Sequence, residues 1–298
     1  MIAFAAGIEE ADRLNAGFAT PDEAAAFWAE GAPEVPVEDL AYPAGGGQAQ
    51  AARLYRGGGA GRPSLVYIHG GGWTGGSIAL NERAARTLAV EGRCDVLSVS
   101  YRLSPAHPFP AGLEDCLAAL DWLAAEGRAL GLSGARPLIG GASAGANLAM
   151  AAALARGGRG IAGLVLFYGV FGADLDTPSY RRYAEGPGLT RARMAELLAM
   201  YDPGMRRHSD PLVAPLSAAL PRALPPSLLI AAEHDVLLDD SREMHRALLA
   251  AGGSATLHVV PGVTHGFINR GRIVPAADFA LGLAAGFLAG LPTTEQTA

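Results

Sequence analysis

A serine with a glycine two positions before it and another two positions after it is the first feature of this sequence that indicates chemistry. Residues 141–145 read Gly-Ala-Ser-Ala-Gly, and this Gly-x-Ser-x-Gly pattern is typical of a sharp turn from a strand into a helix. Such a turn holds the serine in a strained conformation and exposes its hydroxyl group. An apolar run before the pattern and an alanine-rich run after it fit this strand and helix. Ser143 is therefore a candidate nucleophile, and an incidental serine in a glycine turn is the alternative.

Three consecutive glycines form a second candidate element at residues 69–73, which read His-Gly-Gly-Gly-Trp. They follow a short apolar run at residues 65–68, which predicts a strand. Without side chains in the way, the backbone N–H groups of such a loop can turn inward. Donors that are aimed in advance stabilise a developing oxyanion. A phosphate-binding loop is the alternative, but no arginine or lysine lies close to these glycines in the sequence.

A general base and a carboxylate that orients it are predicted in the last third of the chain. His265 follows a predicted strand at residues 256–260 and a short Pro-Gly loop, so among the seven histidines it is the candidate base. Asp235 lies in the loop between another predicted strand and a helix, and it is the candidate orienting acid. Glu233 is the main competitor for that role.

The elements that must position these residues are strands of one sheet. Apolar runs alternate with helical patterns, which predicts a mainly parallel sheet covered by helices on both faces. His69, Ser143, Asp235 and His265 each follow a predicted strand. Because the loops at the C-terminal ends of parallel strands open into one crevice, we expect these residues to meet there. The chain order Ser, Asp, His is the one expected for α/β-hydrolases.

The predicted strands also define the domain organisation. Besides a hairpin formed by residues 35–44 and 49–56, strands are predicted at residues 65–68, 96–100, 138–140, 164–168, 228–232 and 256–260. The catalytic domain is predicted over residues 35–292, with a frayed tail at residues 293–298. Residues 1–34 and about 171–216 fit the alternation poorly, and we expect them to fold together as a small helical cap. The alternative is an N-terminal arm and an ordinary long crossover.

Composition excludes several classes of protein. The 298 residues are half apolar and 17% charged, which suits one large α/β domain. All 23 basic residues are arginine, so a lysine Schiff base with pyridoxal phosphate is excluded. A net charge of −6 without a basic cluster argues against nucleic acid as a partner. Two cysteines are too few for a disulfide framework or, on their own, for a zinc site, and the spacing of His234, Asp235 and His245 matches no metal motif.

No targeting or membrane segment is predicted. Glu9 and Glu10 precede the first arginine, and no small-residue cleavage site follows, unlike the pattern of a secretory signal. The uncharged stretch at residues 137–155 contains three glycines and fits a buried strand and helix better than a membrane span. We therefore expect a cytoplasmic protein, and the sequence leaves open whether it forms a homodimer.

These motifs together resemble the hormone-sensitive-lipase-like branch of the α/β-hydrolases, which includes many bacterial carboxylesterases. The likeness runs from about residue 35 to residue 267. Besides the two glycine motifs, it is carried by Tyr-Arg-Leu-Ser-Pro-Ala-His-Pro-Phe-Pro-Ala at residues 101–111, Glu-His-Asp-Val-Leu-Leu-Asp at residues 233–239 and His-Gly-Phe at residues 265–267. The resemblance implies an α/β-hydrolase fold, with a mainly parallel eight-stranded sheet flanked by helices and a small cap.

The resemblance also implies roles for individual residues. Ser143 would be the nucleophile, His265 the base and Asp235 its orienting acid. This mechanism requires no cofactor, and no metal is predicted. The implied oxyanion hole consists of the N–H groups of Gly71, Gly72 and Ala144. Three positions depart from the family pattern, which usually has Glu, Asp and Gly where this chain has Ala106, Ala142 and Ala146.

The expected function is that of a serine carboxylesterase, whose partner is a small-molecule ester with a short to medium acyl chain. An amidase resembling arylformamidases is the nearest alternative on the same scaffold. A non-catalytic ligand-binding protein is the alternative from another class. The presence of His265 disfavours it, because receptors of this family have lost the catalytic histidine.

Overall fold

An eight-stranded sheet forms the centre of the molecule. The computed structural model describes residues 2–58, 64–132, 136–222 and 224–291. The strands are β1 (Val37–Pro43), β2 (Ala49–Tyr55), β3 (Leu65–Ile68), β4 (Val96–Val99), β5 (Leu138–Ala142), β6 (Gly163–Phe167), β7 (Ser227–His234) and β8 (Ala255–Thr264). Their order across the sheet is β1-β2-β4-β3-β5-β6-β7-β8. The predicted hairpin of β1 and β2 pairs antiparallel with β4, and the remaining pairs are parallel.

Helices cover both faces of this sheet. They are α1 (Ile8–Gly17), α2 (Pro21–Ala29), α3 (Glu82–Gly92), α4 (Ala111–Glu126), α5 (Ala144–Ala155), α6 (Pro178–Arg182), α7 (Arg191–Tyr201), α8 (Leu238–Ala250) and α9 (Pro275–Gly290). Side chains of α4, α5 and α8 join one buried cluster, and those of α1, α2, α3 and α9 join the other. Strands β3 to β6 are buried at every position, which explains their continuously apolar sequences. The predicted α/β-hydrolase architecture is confirmed.

Strand β8 differs from the sequence prediction. The predicted strand ended at residue 260 and gave way to a Pro-Gly loop, whereas the strand continues through Pro261 and Gly262 to Thr264. Because β8 lies at the edge of the sheet, the missing N–H of Pro261 can be accommodated there. The pairing of β8 with β7 shifts register in this part of the strand, where Gly262 adopts a positive φ of 69°. The longer strand ends immediately before His265.

Residues 171–216, which we call the insertion, belong to the long connection between β6 and β7, and three of their backbone N–H groups bind carboxylates of α8. Asp240 accepts hydrogen bonds from the N–H groups of Phe171 and Gly172 at 2.7 and 2.8 Å. Asp239 accepts one from the N–H of Ser179 at 2.8 Å. Burial raises the pKa of the Asp240 carboxyl to about 7. The base of the insertion is therefore tied to α8 by two buried acidic side chains.

The N-terminal segment, residues 2–34, is helical as predicted and packs against the domain. An aromatic group of Phe18, Phe27 and Trp28 joins its two helices, with ring centroids 4.9 to 6.0 Å apart. His234 at the end of β7 is buried, and its Nε2 donates a hydrogen bond to the carbonyl oxygen of Ala3 at 3.0 Å. These contacts hold the segment beside the C-terminal ends of the strands.

The ends of the chain bear on two further expectations. The predicted tail at residues 293–298 lies outside the described residues, and so does residue 292. Within the described ranges, no helix combines the length and the apolar character needed to cross a bilayer.

Candidate active site

Ser143 occupies the turn between β5 and α5, which is the strand–turn–helix context predicted for its motif. Its φ of 55° and ψ of −119° lie in a region that non-glycine residues rarely adopt, at a cost of about 1–3 kcal/mol. Its N–H donates to the carbonyl oxygen of Phe167 at 2.9 Å. A Cβ atom on Gly141 or Gly145 would lie 2.3 or 2.1 Å from the carbonyl oxygen of Ile68. The two glycines are therefore needed because backbone passes directly beside the turn.

His265 lies between Ser143 and Asp235. Its Nε2 is 2.9 Å from the Ser143 Oγ, and its Nδ1 is 2.6 Å from the Asp235 Oδ2. The other Asp235 oxygen accepts the N–H of Leu237 at 3.0 Å, and the Asp235 side chain is fully buried. An ionised carboxylate only accepts hydrogen bonds, so Nδ1 carries the proton and Nε2 can accept the serine hydroxyl. The structure thus brings these three predicted residues together.

Glu233, the competing acid, points elsewhere. Its carboxylate accepts the N–H of Gly262 at 2.8 Å, within the irregular part of β8. The histidines of the alternative metal site are also engaged by main-chain groups: the ring of His234 contacts Ala3, and Nε2 of His245 lies 3.3 Å from the carbonyl oxygen of Ala255. Asp235 is the carboxylate that contacts His265.

The glycine loop after β3 lies against the turn that holds Ser143. A Cβ atom on Gly70 would be 3.5 Å from the Cβ of Ser143. Gly71 and Gly72 have φ values of 127° and 60°, which a residue with a side chain would adopt only with strain. The N–H groups of Gly71, Gly72 and Ala144 make no hydrogen bond to any described residue. Such free donors beside a serine hydroxyl can be directed at an oxygen of a bound molecule.

His69 is a buried residue that supports this loop. It is fully buried, and burial lowers the pKa of its imidazole to about 4, so the ring is neutral. Its Nδ1–H donates to the carbonyl oxygen of Gly70 at 2.8 Å, and its ring stacks on Tyr101 at 4.5 Å. The hydroxyl of Tyr101 in turn donates to the carbonyl oxygen of His69 at 3.1 Å. The sequence placed His69 at the site, but its supporting contacts become visible only in the fold.

Asn147 is a supporting residue that the sequence did not identify. It is fully buried on α5, and its Oδ1 accepts the indole N–H of Trp73 at 3.2 Å. Its Nδ2 donates to the carbonyl oxygens of Val170 and Val213, both at 2.9 Å. One amide therefore joins α5, the glycine loop and the insertion. In the sequence, the signal that could have identified Asn147 is a single asparagine among the alanines of residues 144–155.

Replacement of Asn147 with leucine should lower the free energy of unfolding by about 3 kcal/mol, because the change leaves one buried N–H and two buried carbonyl groups unpaired. Chemical denaturation followed by circular dichroism measures this change. Met150→Leu is the matched control on the same helix, and a volume-conserving apolar swap should cost less than about 1.5 kcal/mol. Equal losses for the two variants would contradict the bridging role of Asn147.

A cavity of about 370 Å³ opens above Ser143 and His265. The sheet domain contributes Gly70, Gly71, Gly72 and Ala142 to its wall. The N-terminal segment contributes Asn15 and Trp28, whose side chains are joined by a 3.3 Å hydrogen bond, and the insertion contributes Leu189, Arg193, Met194 and Leu197. Both segments that fit the strand–helix alternation poorly therefore line the site.

Similarity to known proteins places this chain in a family. A family described as alpha/beta hydrolase fold matches residues 65–269. Carboxylesterase NlhH of Mycobacterium tuberculosis is 40% identical over 227 residues, which cover 74% of this chain and 71% of that relative. The chain belongs to the α/β-hydrolase fold family. An acetyl esterase of Salmonella agona is 33% identical over 266 residues, with 86% of this α/β-hydrolase and 80% of the relative covered.

A solved structure of an esterase is also similar to this chain. The hyperthermophilic esterase from the archaeon Pyrobaculum calidifontis superposes with a TM-score of 0.84 at 32% identity, covering 94% of this α/β-hydrolase and 91% of that chain. The predicted membership of the hormone-sensitive-lipase-like branch is confirmed by these relatives. The predicted enzyme class, a carboxylic ester hydrolase, is confirmed as well.

The three departures from the family pattern lie in different surroundings. Ala142 lines the cavity, Ala146 is buried in α5 and Ala106 is exposed. Of the three, Ala142 is the one that can change what a bound molecule contacts in this α/β-hydrolase.

Proposed function

We propose that this chain is a serine carboxylesterase in which Ser143 is the nucleophile, His265 the general base and Asp235 the orienting acid. The observation that carries this proposal is the continuous hydrogen-bonded chain from the Ser143 Oγ through His265 to Asp235, with distances of 2.9 and 2.6 Å. These are the separations over which a nucleophile and its base can exchange a proton. Membership of a family of ester hydrolases supports the same reaction.

In the first half-reaction, the Ser143 Oγ attacks the ester carbonyl carbon while His265 Nε2 removes the hydroxyl proton. The imidazolium that forms is stabilised by Asp235, which is fully buried and held by the Leu237 N–H. His265 then gives the proton to the departing alkoxide, which leaves as the alcohol. In the second half-reaction water attacks the acyl-serine with the same base.

The carbonyl oxygen gains negative charge in both half-reactions. We assign its stabilisation to the N–H groups of Gly71, Gly72 and Ala144, none of which has an acceptor among the described residues. Loss of one such donor raises the barrier of comparable reactions by about 3–4 kcal/mol. The neutral His69 ring supports this role, because it fixes the loop without adding a charge beside the oxyanion.

The substrate is proposed to be an ester with a short to medium acyl chain. A cavity of about 370 Å³ is at the lower end of the range for small-molecule sites, which favours small esters over bulky lipids. Residues 1–34 and 171–216 are proposed to act as a cap, because side chains from both segments, including Trp28 and Leu197, line this cavity. The bounds of this cap and of the catalytic domain, residues 35–292, are predictions from the sequence.

A side-by-side rate measurement separates the esterase from the amidase. The purified enzyme is given 4-nitrophenyl butyrate and the matching 4-nitroanilide, which share an acyl chain and differ in the atom that leaves. We expect kcat/KM for the ester to exceed that for the anilide by at least 10³-fold, beyond the difference in uncatalysed reactivity. Comparable values after that correction would favour the amidase, and no turnover of either would favour a ligand-binding protein.

A further inference from the structure

The charged side chains of the cavity are of one sign. Among the described residues that line it, Arg193 and Arg270 are the permanently charged ones, and no aspartate or glutamate accompanies them. The whole chain has a net charge of −6, whereas both charged side chains of this wall are cationic. Asp235 does not reach the wall, because its side chain is fully buried behind His265.

Arg270 lies on the side of the general base. Its Nη2 is 3.9 Å from the position that a Cβ on Gly266 would occupy, and Gly266 directly follows His265. Its Nη1 pairs with Asp12 of α1, which does not line the cavity. The Arg270 side chain is only 12% exposed, so its charge is less screened by water than that of a surface arginine.

Arg193 lies on the side of the glycine loop. It precedes Leu197 by one helical turn on α7, a rise of about 6 Å, and the Leu197 methyl carbons would be 2.6 Å from a Cβ on Gly72. The Arg193 side chain is half exposed, and its Nη1 pairs with Glu196, which is also exposed. Such a surface pair contributes little stability, so the guanidinium can exchange Glu196 for a bound anion.

Both arginines retain unused donors. A guanidinium group has five N–H donors, and each of these two makes one hydrogen bond, through Nη1, to the described residues. The remaining Nε–H and Nη2–H groups have the forked geometry that binds both oxygens of a carboxylate. The neutral amide of Asn15 lines the same cavity and adds no negative charge to it.

We propose that the preferred substrates are esters whose alcohol portion carries a carboxylate, which Arg270 binds while Arg193 adds positive charge at the mouth of the cavity. The leaving oxygen must lie beside His265 Nε2 to receive its proton, so the alcohol portion extends toward the side on which Arg270 lies. The proposal rests on the esterase function and refines its substrate class. The reaction is otherwise the one already described, since the carboxylate takes no part in bond making or breaking.

Two probes of equal size test this proposal: 4-acetoxybenzoate, which is anionic, and 4-acetoxybenzamide, which is neutral. Their kcat/KM values at low ionic strength are each divided by the rate of alkaline hydrolysis, and their ratio measures the preference for the carboxylate. We expect a ratio of about ten in the wild-type enzyme, equivalent to about 1.4 kcal/mol. The ratio should fall as NaCl is raised, because salt screens the attraction.

Matched variants identify the arginines responsible. Arg270→Gln and Arg193→Gln should each reduce the ratio by about threefold, to about three. Arg272→Gln and Arg191→Gln remove the same charge two residues away, at positions that do not line the cavity, and should leave the ratio unchanged. Thermal unfolding checks that each variant is folded. If Arg270→Gln is unstable, Arg270→Lys takes its place; lysine retains the positive charge, so the ratio should stay well above one.

The outcomes are distinguishable. A wild-type ratio of one or less would overturn the carboxylate preference while leaving the esterase intact. Equal losses in the cavity variants and their matched controls would overturn the assignment to Arg270 and Arg193. Ethyl hydrogen adipate carries its carboxylate on the acyl portion. If the enzyme prefers it over its neutral monoamide more strongly than it prefers 4-acetoxybenzoate over 4-acetoxybenzamide, the placement of the carboxylate on the alcohol portion is wrong. Failure to hydrolyse either acetoxy probe would count against the esterase function itself.

Discussion

Ser143→Ala should abolish ester hydrolysis, with kcat reduced by about 10⁶-fold, while the protein stays folded. The change removes the Oγ atom that is hydrogen-bonded to His265, and neither half-reaction can then pass through an acyl-serine. The backbone N–H of residue 143, which donates to Phe167, is retained. Alanine keeps the Cβ atom, so the strained turn is not altered sterically. Initial rates with 4-nitrophenyl butyrate and thermal unfolding measure the two effects.

Ser98→Ala is the matched control for this variant. Ser98 is fully buried on β4, and its Oγ has no hydrogen-bond partner among the described residues. Loss of this hydroxyl should leave kcat within about twofold of the wild-type value, because Ser98 lies outside the site. Activity of the Ser143→Ala protein above about 1% of wild type would show that another group is the nucleophile.

Asp235→Asn should reduce kcat by about 10⁴-fold with little change in structure. Asparagine has nearly the same shape, but its amide donates where the carboxylate accepted the Nδ1 proton of His265. The ring then takes the other tautomer, with a proton on Nε2, and cannot remove the hydroxyl proton of Ser143. Stopped-flow or steady-state rates at neutral pH measure the loss, and the Leu237 N–H keeps an acceptor on residue 235.

Glu233→Gln is the control that separates the two acids considered from the sequence. The Glu233 carboxylate accepts the Gly262 N–H, and the glutamine amide oxygen can accept the same hydrogen bond. We expect its kcat to stay within about threefold of wild type. The reverse result, a large loss in Glu233→Gln and a small one in Asp235→Asn, would assign the orienting role to Glu233.

Much of the sheet and the meeting of the site residues could be predicted from the sequence. Strands such as β3 and β5 are buried on both faces, so they appear as short runs of apolar residues and glycine without a charged residue. Parallel strands bring their C-terminal ends to one edge, and that rule alone predicted that Ser143 and His265 would lie close together. The fold therefore follows from local pattern and connection geometry.

The supporting contacts could not be predicted in this way. Asn147 contacts Trp73, which is 74 positions away, and Val213, which is 66 positions away, so no local pattern reports them. The extension of β8 through Pro261 depends on its place at the sheet edge, which the residues themselves do not indicate. The positive wall of the cavity requires arginines from two separate segments to converge, which only the folded chain shows.

Covalent labelling tests the central claim most directly. The purified enzyme is treated with a fluorophosphonate, digested with trypsin and analysed by mass spectrometry, while residual activity is followed in parallel. Trypsin is expected to leave Ser143 on the peptide of residues 129–156, because Arg136 precedes a proline, and fragment ions must separate it from Ser133. The account predicts one phosphonyl group per chain on Ser143, with activity lost in proportion. Full inactivation with the adduct on another residue, or an active enzyme that is never labelled at Ser143, would contradict it.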